Sequence, residues 1–326
     1  SNNVLLTYLE CWGNDLTSLD VSANTALTYL DCGANQLTSL DVSSNTALTV
    51  LWLENNQLTS LNVSSNTNLT QLGLNYNQLT SLDVSNNIAL SRFEIKDSDF
   101  TSLDVSANTA LTWLDCSGNQ LTSLDVSSNT ALYYLACQGN QFTSLDVSAN
   151  TALTWLDCSG NQLTSLDLTN NAELQSLYIA ENNLTSLDVS NNTVLQGFSC
   201  FSNQLTSLDV TNNIALSYFQ LHGNQLTSLD LSSNTALTQV AIEDNQLIYL
   251  NMKNGLTDQL TQFKAVGNSS LTCIETLDPD YATANWTNAN GNIDDGVTFA
   301  DICYASNPSY TNVPDDNFEQ ALIDLG

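Results

Sequence analysis

Leucine recurs every 21 residues from Leu19 through Leu40, Leu61 and Leu82 to Leu250, twelve positions in register without one insertion. An ordinary globular core has no use for such a period. It means that one short unit is stacked along an axis, each copy burying its apolar face against the next. A chain of 326 residues would otherwise suggest two domains, but a stack lengthens without a second core.

Residues 27–47 serve as one unit, LTYLDCGANQ followed by LTSLDVSSNTA. Both halves read L-T-x-L-D-(C/V)-(S/G)-x-N, so a ten-residue half is nested beside an eleven-residue half. Leu, Leu and Cys or Val alternate inward with period two, as a short strand requires, and helical spacing is absent. Asn closes each half. One ladder runs from Asn35 to Asn245, interrupted at Ser98, and the other from Asn24 to Asn234. An inward amide satisfies backbone groups that a tight turn leaves unpaired.

The pattern LxxLxLxxNxL, carried by Leu27, Leu30, Cys32, Asn35 and Leu37, resembles that of leucine-rich repeats. The continuation LTSLDVSxNTA is similar to the bacterial 21-residue class with nested periods. The resemblance covers residues 1–268. It implies a right-handed β-rich solenoid with a parallel sheet on the variable side and short extended segments on the other. Halves of nearly equal length imply weak curvature. After Leu250 the period breaks at NMKNGLTDQ, two residues too long, before a last degenerate repeat from Leu260 to Asn268. Residues 269–305 resemble the C-terminal cap of such surface proteins. Residues 306–326 resemble a linker and the start of a following module's helical cap, with Phe318, Leu322 and Leu325 at helical spacing after Pro314 and Asp315. At the other end, Ser1, Asn2, Asn3 and Leu6 align with Ser22, Ala23, Asn24 and Leu27, so the sequence starts in mid-repeat. Either a longer chain covers the apolar edge of Leu6, Leu9 and Cys11, or a second copy does so by end-to-end association.

Six cysteines (Cys11, Cys32, Cys116, Cys137, Cys158 and Cys200) share the repeat position that holds Leu53, Leu74 or Ile95 elsewhere. They read as small buried hydrophobes. Cys273 and Cys303 instead flank the irregular cap. A bond between them closes a loop of about 30 residues, worth about 3–4 kcal/mol in the chain-entropy model, and implies an oxidising, extracellular setting. The resemblance places the chain outside the cell or on the outer surface of a Gram-negative bacterium.

Four Lys and Arg stand against 34 Asp and Glu, a formal net charge of -30. That repels nucleic acid and anionic lipid, and leaves cations, neutral glycans and basic protein patches as partners. No apolar run approaches the roughly 20 residues that span a bilayer.

Comparison of repeats within the chain separates a constant face from a variable one. In the second half-repeat Ser18, Asp20 and Ser22 recur almost unchanged, giving an Asp ladder from Asp20 to Asp230. Solvation and neighbouring Ser hydroxyls can hold these charges, and each copy offers one carboxylate where Ca²⁺ takes six or more oxygens. In the first half-repeat three outward positions vary freely. They include Tyr29, Trp52, Arg92, Lys96, Trp113, Asp115, Tyr134, Trp155, Asp157, Tyr178, Phe201 and Tyr218. Trp113, Tyr134 and Trp155 should form one ridge edged by Asp115 and Asp157. Clustered outward rings suit stacking on a sugar or gripping a protein, or they stack on one another to stabilise the sheet. In the fifth repeat Arg92 and Lys96 are expected to pair across strands with Glu94, Asp115 or Glu54.

No nucleophile, base and acid constellation can be assembled, His222 is the only histidine, and a non-enzyme is expected. Asn288, Asn290, Asn292, Asp294 and Asp295 alternate like a calcium loop but lack its downstream Glu. No other cofactor is suggested. The residues therefore support an extracellular adhesion or binding module for a protein or glycan. The alternatives are a structural spacer or filament subunit, and a targeting module of a larger secreted enzyme.

Overall fold

The computed structural model describes residues 3–303. Three-residue strands follow in chain order as Tyr8–Glu10 (β1), Tyr29–Asp31 (β2), Val50–Trp52 (β3), Gln71–Gly73 (β4), Arg92–Glu94 (β5) and Trp113–Asp115 (β6). Next come Tyr134–Ala136 (β7), Trp155–Asp157 (β8), Ser176–Tyr178 (β9), Gly197–Ser199 (β10), Tyr218–Gln220 (β11), Ser228–Asp230 (β12) and Gln239–Ala241 (β13). Tyr249–Asn251 (β14), Gln262–Lys264 (β15), Cys273–Glu275 (β16), helix Pro279–Asn285 (α1) and Thr298–Ala300 (β17) complete the described residues. The first-half strands form one 13-stranded sheet in the order β1 to β11, β13, β15, and β12, β14, β16 and β17 form a second sheet of four. Every pair is parallel, and neighbours such as Tyr8 and Tyr29 or Trp113 and Tyr134 stand opposite one another. Before β12 the second halves run without strands, extended between turns.

The alternation of the sequence accounts for the core. Leu27, Leu30, Cys32, Leu37 and Val42 are fully buried, and the same positions recur along the stack. Phe93, Phe100, Phe142, Phe198 and Phe219 replace Leu there and are also fully buried. Cys32, Cys116, Cys137, Cys158 and Cys200 are buried free thiols, and Cys11 is half-buried at the first strand.

Both Asn ladders join consecutive copies. The Asn140 amide donates to Cys116 O and Cys137 O at 3.0 and 3.1 Å, and its Oδ1 accepts from Leu121 N at 3.0 Å. Asn129 donates to Val105 O and Asn108 O at 3.0 and 2.9 Å. Each amide thus ties its own turn to the preceding one, which a leucine cannot do. Ser98, which interrupts the first ladder, leaves its buried hydroxyl without a protein partner.

The turn before the first ladder sets a second requirement, on backbone alone. Ala34, Asn55, Tyr76, Asp97, Gly118, Gly139, Gly160, Glu181, Ser202, Gly223 and Asp244 all have positive φ, between 48° and 68°. This left-handed conformation is free for Gly and costs other residues about 1 kcal/mol.

At the C-terminal end the two-residue insertion is absorbed between β13 and β15, where Gln239 stands opposite Gln262. The following segment is more ordered than its irregular sequence suggests. Asp278 caps α1 by accepting from Tyr281 N at 2.9 Å. Trp286 then stacks on Phe263 at 4.1 Å, covering the last turn of the core. The disulfide Cys273–Cys303 joins β16 to the chain just beyond β17, with Cα atoms 5.8 Å apart. Helical spacing at Phe318, Leu322 and Leu325 lies outside the described residues.

Candidate binding face

Strand register fixes the variable positions in rows along the 13-stranded sheet. The first row runs Arg92, Trp113, Tyr134, Trp155, Ser176, Gly197 and Tyr218 on consecutive strands. Its rings touch. Trp113 and Tyr134 stack with centroids 3.4 Å apart, Tyr134 meets Trp155 edge-on at 4.6 Å, and Trp155 meets Tyr178 edge-on at 5.3 Å. These rings are half-buried rather than exposed, because each covers part of its neighbour. Two further pairs lie apart from the ridge, Tyr8 on Tyr29 at 4.3 Å and Phe201 on His222 at 4.4 Å. Tyr218 is half-buried, and burial raises its phenol pKa.

Contact among the rings does not exhaust their chemistry. The buried Nε1 atoms of Trp113 and Trp155 and Oε1 of Gln138 have no hydrogen-bond partner among the described residues. Such atoms normally find one.

The carboxylates beside the ridge are partly desolvated. Burial pushes the Asp115 and Asp157 carboxyls up, against the pull of hydrogen bonds from Ser117 and Ser159. Burial likewise raises the Tyr134 phenol to about 12, with both carboxylates adding to the shift. Ser117 N and Ser159 N each donate to the Asp two residues before at 3.0 Å, which fixes these acids pointing along the face.

Repeat five forms the expected pair with Glu94, but along one strand rather than across strands. Arg92 pairs with Glu94 on its own strand, Nε donating at 2.6 Å, rather than across strands with Asp115 or Glu54. Two residues apart on a strand, both side chains point outward on one face and meet without a partner strand. The Arg92 guanidinium also lies 5.4 Å from the Trp52 ring and 5.1 Å from the Trp113 ring. Lys96 sits beside its neighbour Asp97 at 3.9 Å and 5.7 Å from the Tyr76 ring of the preceding repeat. Asn75 completes the group, donating to Glu94 at 2.9 Å and accepting from Lys96 N at 2.7 Å.

Glu54, expected from the sequence only as a partner for Arg92 or Lys96, is itself perturbed. Burial, aided by Asp31 and Glu94, raises its carboxyl to about 7. Its place is made by Gly73 on the next repeat, where a Cβ would collide with Glu54 Oε1 and the Trp52 ring. A glycine on the adjacent strand, opposite Trp52, was the available signal.

On the constant face the Asp ladder is held locally. Asp125 Oδ1 accepts from Ser127 N at 2.9 Å, and hydrogen bonds from Ser127 hold its carboxyl below the usual range. Asn62 takes the same place in one repeat and accepts from Ser64 N at 3.0 Å. The calcium-like segment is likewise engaged by protein. Asn292 donates to Phe263 O at 2.7 Å, and Asp294 accepts from Gly267 N and Asn268 N at 3.0 and 2.8 Å, closing the last turn of the stack. Asn288 donates to Ile293 O and Asn290 to Asn285 O, both at 3.2 Å. Among the described residues no three His, Cys, Asp or Glu side chains converge as metal ligands. No helix among them is long and apolar enough to cross a membrane.

No protein-family model matches the sequence, and no match is found among curated proteins. Solved structures do match. The chain is similar to the functional domain of InlJ from Listeria monocytogenes, described as including a cysteine ladder, with 37% identity and a TM-score of 0.80. That match covers 85% of this chain and 65% of the other, so the chain spans less than two thirds of that relative. An internalin, InlF, from the same organism matches at 21% identity and a TM-score of 0.71, over 92% and 88% of the two chains. The ectodomain of the plant receptor kinase GASSHO1/SCHENGEN3 from Arabidopsis thaliana, in complex with CASPARIAN STRIP INTEGRITY FACTOR 2, matches at 23% identity and a TM-score of 0.66. Here the shares covered are 78% and 36%. The chain thus has a leucine-rich repeat solenoid fold, shared with bacterial internalin-type proteins and closed by a C-terminal disulfide.

Proposed function

We propose that this chain is an extracellular, non-catalytic binding module of a bacterial cell surface, and that the first-half sheet receives a protein ligand. The observation that carries the reading is the ridge Trp113–Tyr134–Trp155, three half-buried rings in contact on consecutive strands of the variable face. Half-buried Trp and Tyr also lose little entropy when a partner covers them, which makes them effective anchors. The disulfide supports an oxidising location. The InlJ match supports a bacterial setting, and the plant receptor ectodomain in complex with CASPARIAN STRIP INTEGRITY FACTOR 2 illustrates the same fold holding a partner. A glycan would use the same rings, and the experiment separates the two.

Attachment of the chain to a panel of immobilised extracellular proteins and glycans is the test. Replacing Trp113, Tyr134 and Trp155 together by Ala should abolish attachment while the melting curve stays cooperative. Loss of attachment on changing Asp104, Asp125 and Asp146 to Asn, with the triple Ala variant still attaching, would move the site to the other face. Capture by glycans alone would replace the protein ligand with a sugar.

A further inference from the structure

The face already holds one arginine, its own. Arg92 lies between the Trp52 and Trp113 rings, 5.4 and 5.1 Å from their centroids, with Glu94 accepting from its Nε at 2.6 Å. Ring faces accommodate the flat, weakly hydrated guanidinium while a carboxylate takes its N–H groups. From Lys96 to Lys253 the sequence contains no further Lys or Arg. The sheet from β6 to β13 therefore supplies no lysine or arginine of its own, and the imidazole of His222 is stacked on Phe201.

Ring and acid nevertheless recur together beyond Trp155. A depression of about 350 Å³ opens there, rimmed by Asp157, Tyr178, Glu181, Phe201 and Gln220. Its floor is low because Ser159, Ala180 and Ser199 are small. Asp157 spends one oxygen on Ser159 N. Neither Asp157 nor Glu181 takes part in any of the ion pairs found among the described residues. The Gln138 Oε1 atom at the same rim is buried and unpartnered, a further acceptor for an N–H donor.

We propose that this depression receives an arginine side chain from an extended basic segment of a partner protein, with Asp157 and Glu181 as its counter-charges and Tyr178 or Phe201 as its stacking surface. The proposal rests on the binding-face reading above and names the chemistry of the partner. Net charge alone would draw a basic segment anywhere on this acidic chain. What distinguishes the depression is the combination, on one side of the sheet, that already fixes Arg92. Around Asp125 and Asp146 the constant face has carboxylates without rings.

The test is calorimetric titration with an acetylated, amidated peptide of glycine–arginine–arginine–glycine, and with the same peptide carrying uncharged citrulline for arginine. Wild type should bind the arginine peptide saturably and the citrulline peptide at least tenfold more weakly. D157N/E181Q should weaken arginine-peptide binding at least tenfold. D125N/D146N, which removes the same charge from the constant face, should stay within about twofold. Asn at 157 keeps an acceptor for Ser159 N, as Asn62 does for Ser64, so the fold should hold. Should D157N/E181Q melt early, E181Q on its exposed side chain against D146N carries the same comparison. Equal weakening by both double variants, equal binding of the citrulline peptide, or no binding by wild type would each overturn the proposal. The attachment assay keeps the two readings apart. Attachment lost in the ridge variant while wild type ignores the arginine peptide refutes the arginine assignment alone. Attachment indifferent to the ridge variant refutes the face itself.

Discussion

The Trp113 and Tyr134 rings stack face to face, 3.4 Å between centroids and 4° from parallel. Parallel strands in register start the two side chains about 4.8 Å apart, near enough for small tilts to bring the rings into contact, so stacking follows from the register. Each ring thereby fixes the other's rotamer before any ligand arrives. A double-mutant cycle on W113A and Y134A should give a coupling energy of about 0.5–1.5 kcal/mol. Additive losses in chemical denaturation would mean that the rings are held by the sheet alone.

Ser98 is the one break in the first Asn ladder, and its hydroxyl is buried without a protein partner. An Asn there could donate to Leu74 and Ile95 carbonyls by the pattern of Asn119, which bonds Ile95 O and Cys116 O at 2.9 and 3.0 Å. Ser98→Asn should therefore stabilise the chain by about 1–3 kcal/mol. A lower melting temperature would show that the turn of repeat five is built for serine.

Glu54 provides a pH-dependent effect whose sign can be worked out. Its folded carboxyl titrates at about 7, above the usual glutamate value, because burial disfavours the charge. The folded state then binds more protons than the unfolded state between the two values, so this group's contribution falls as pH rises through that window. E54Q should match wild type at pH 4 and exceed it in stability at pH 8. A carboxyl titration by NMR with an ordinary midpoint would remove the effect.

The cysteines divide into six thiols and one bridge. Burial raises the thiol pKa of Cys116, Cys137 and Cys158 well above its ordinary value, which leaves little thiolate to react. Labelling under native conditions should spare these three, and denaturing, non-reducing conditions should expose six thiols in all. Eight would contradict the bridge, and four or fewer would contradict the buried ladder.

Most of the scaffold was legible because a repeat displays its own rules twelve times over. The Leu positions, both Asn ladders and the buried Cys row follow from period and alternation, and the two-residue insertion after Leu250 reappears as the offset between Gln239 and Gln262. The left-handed position was harder to see. Gly occupies it in some copies, but Tyr76 and Glu181 occupy it in others at positive φ, so residue type alone hides a backbone requirement. Side-chain partners on the variable face depend on rotamers that no period encodes. Arg92 chose Glu94 beside it and two flanking tryptophans, and Glu54 depends on the missing side chain of Gly73. In the cap a buried Glu275 gathers Tyr249, Lys253 and the Cys303 amide at 3.2, 3.4 and 3.1 Å, a meeting of segments that the sequence keeps apart.

The account turns on which face meets the ligand, and hydroxyl-radical footprinting of the chain while attached to a captured surface reads that directly. Trp113, Tyr134, Trp155 and Tyr178 should lose oxidation on attachment, while Ile88 and Ile214, exposed at 63% and 59% on the turns after the second Asn ladder, keep theirs. Trp286, 5% exposed in the cap, serves as the unchanging reference. Protection of Ile88 and Ile214 with the four rings still oxidised would contradict the assignment of the binding face.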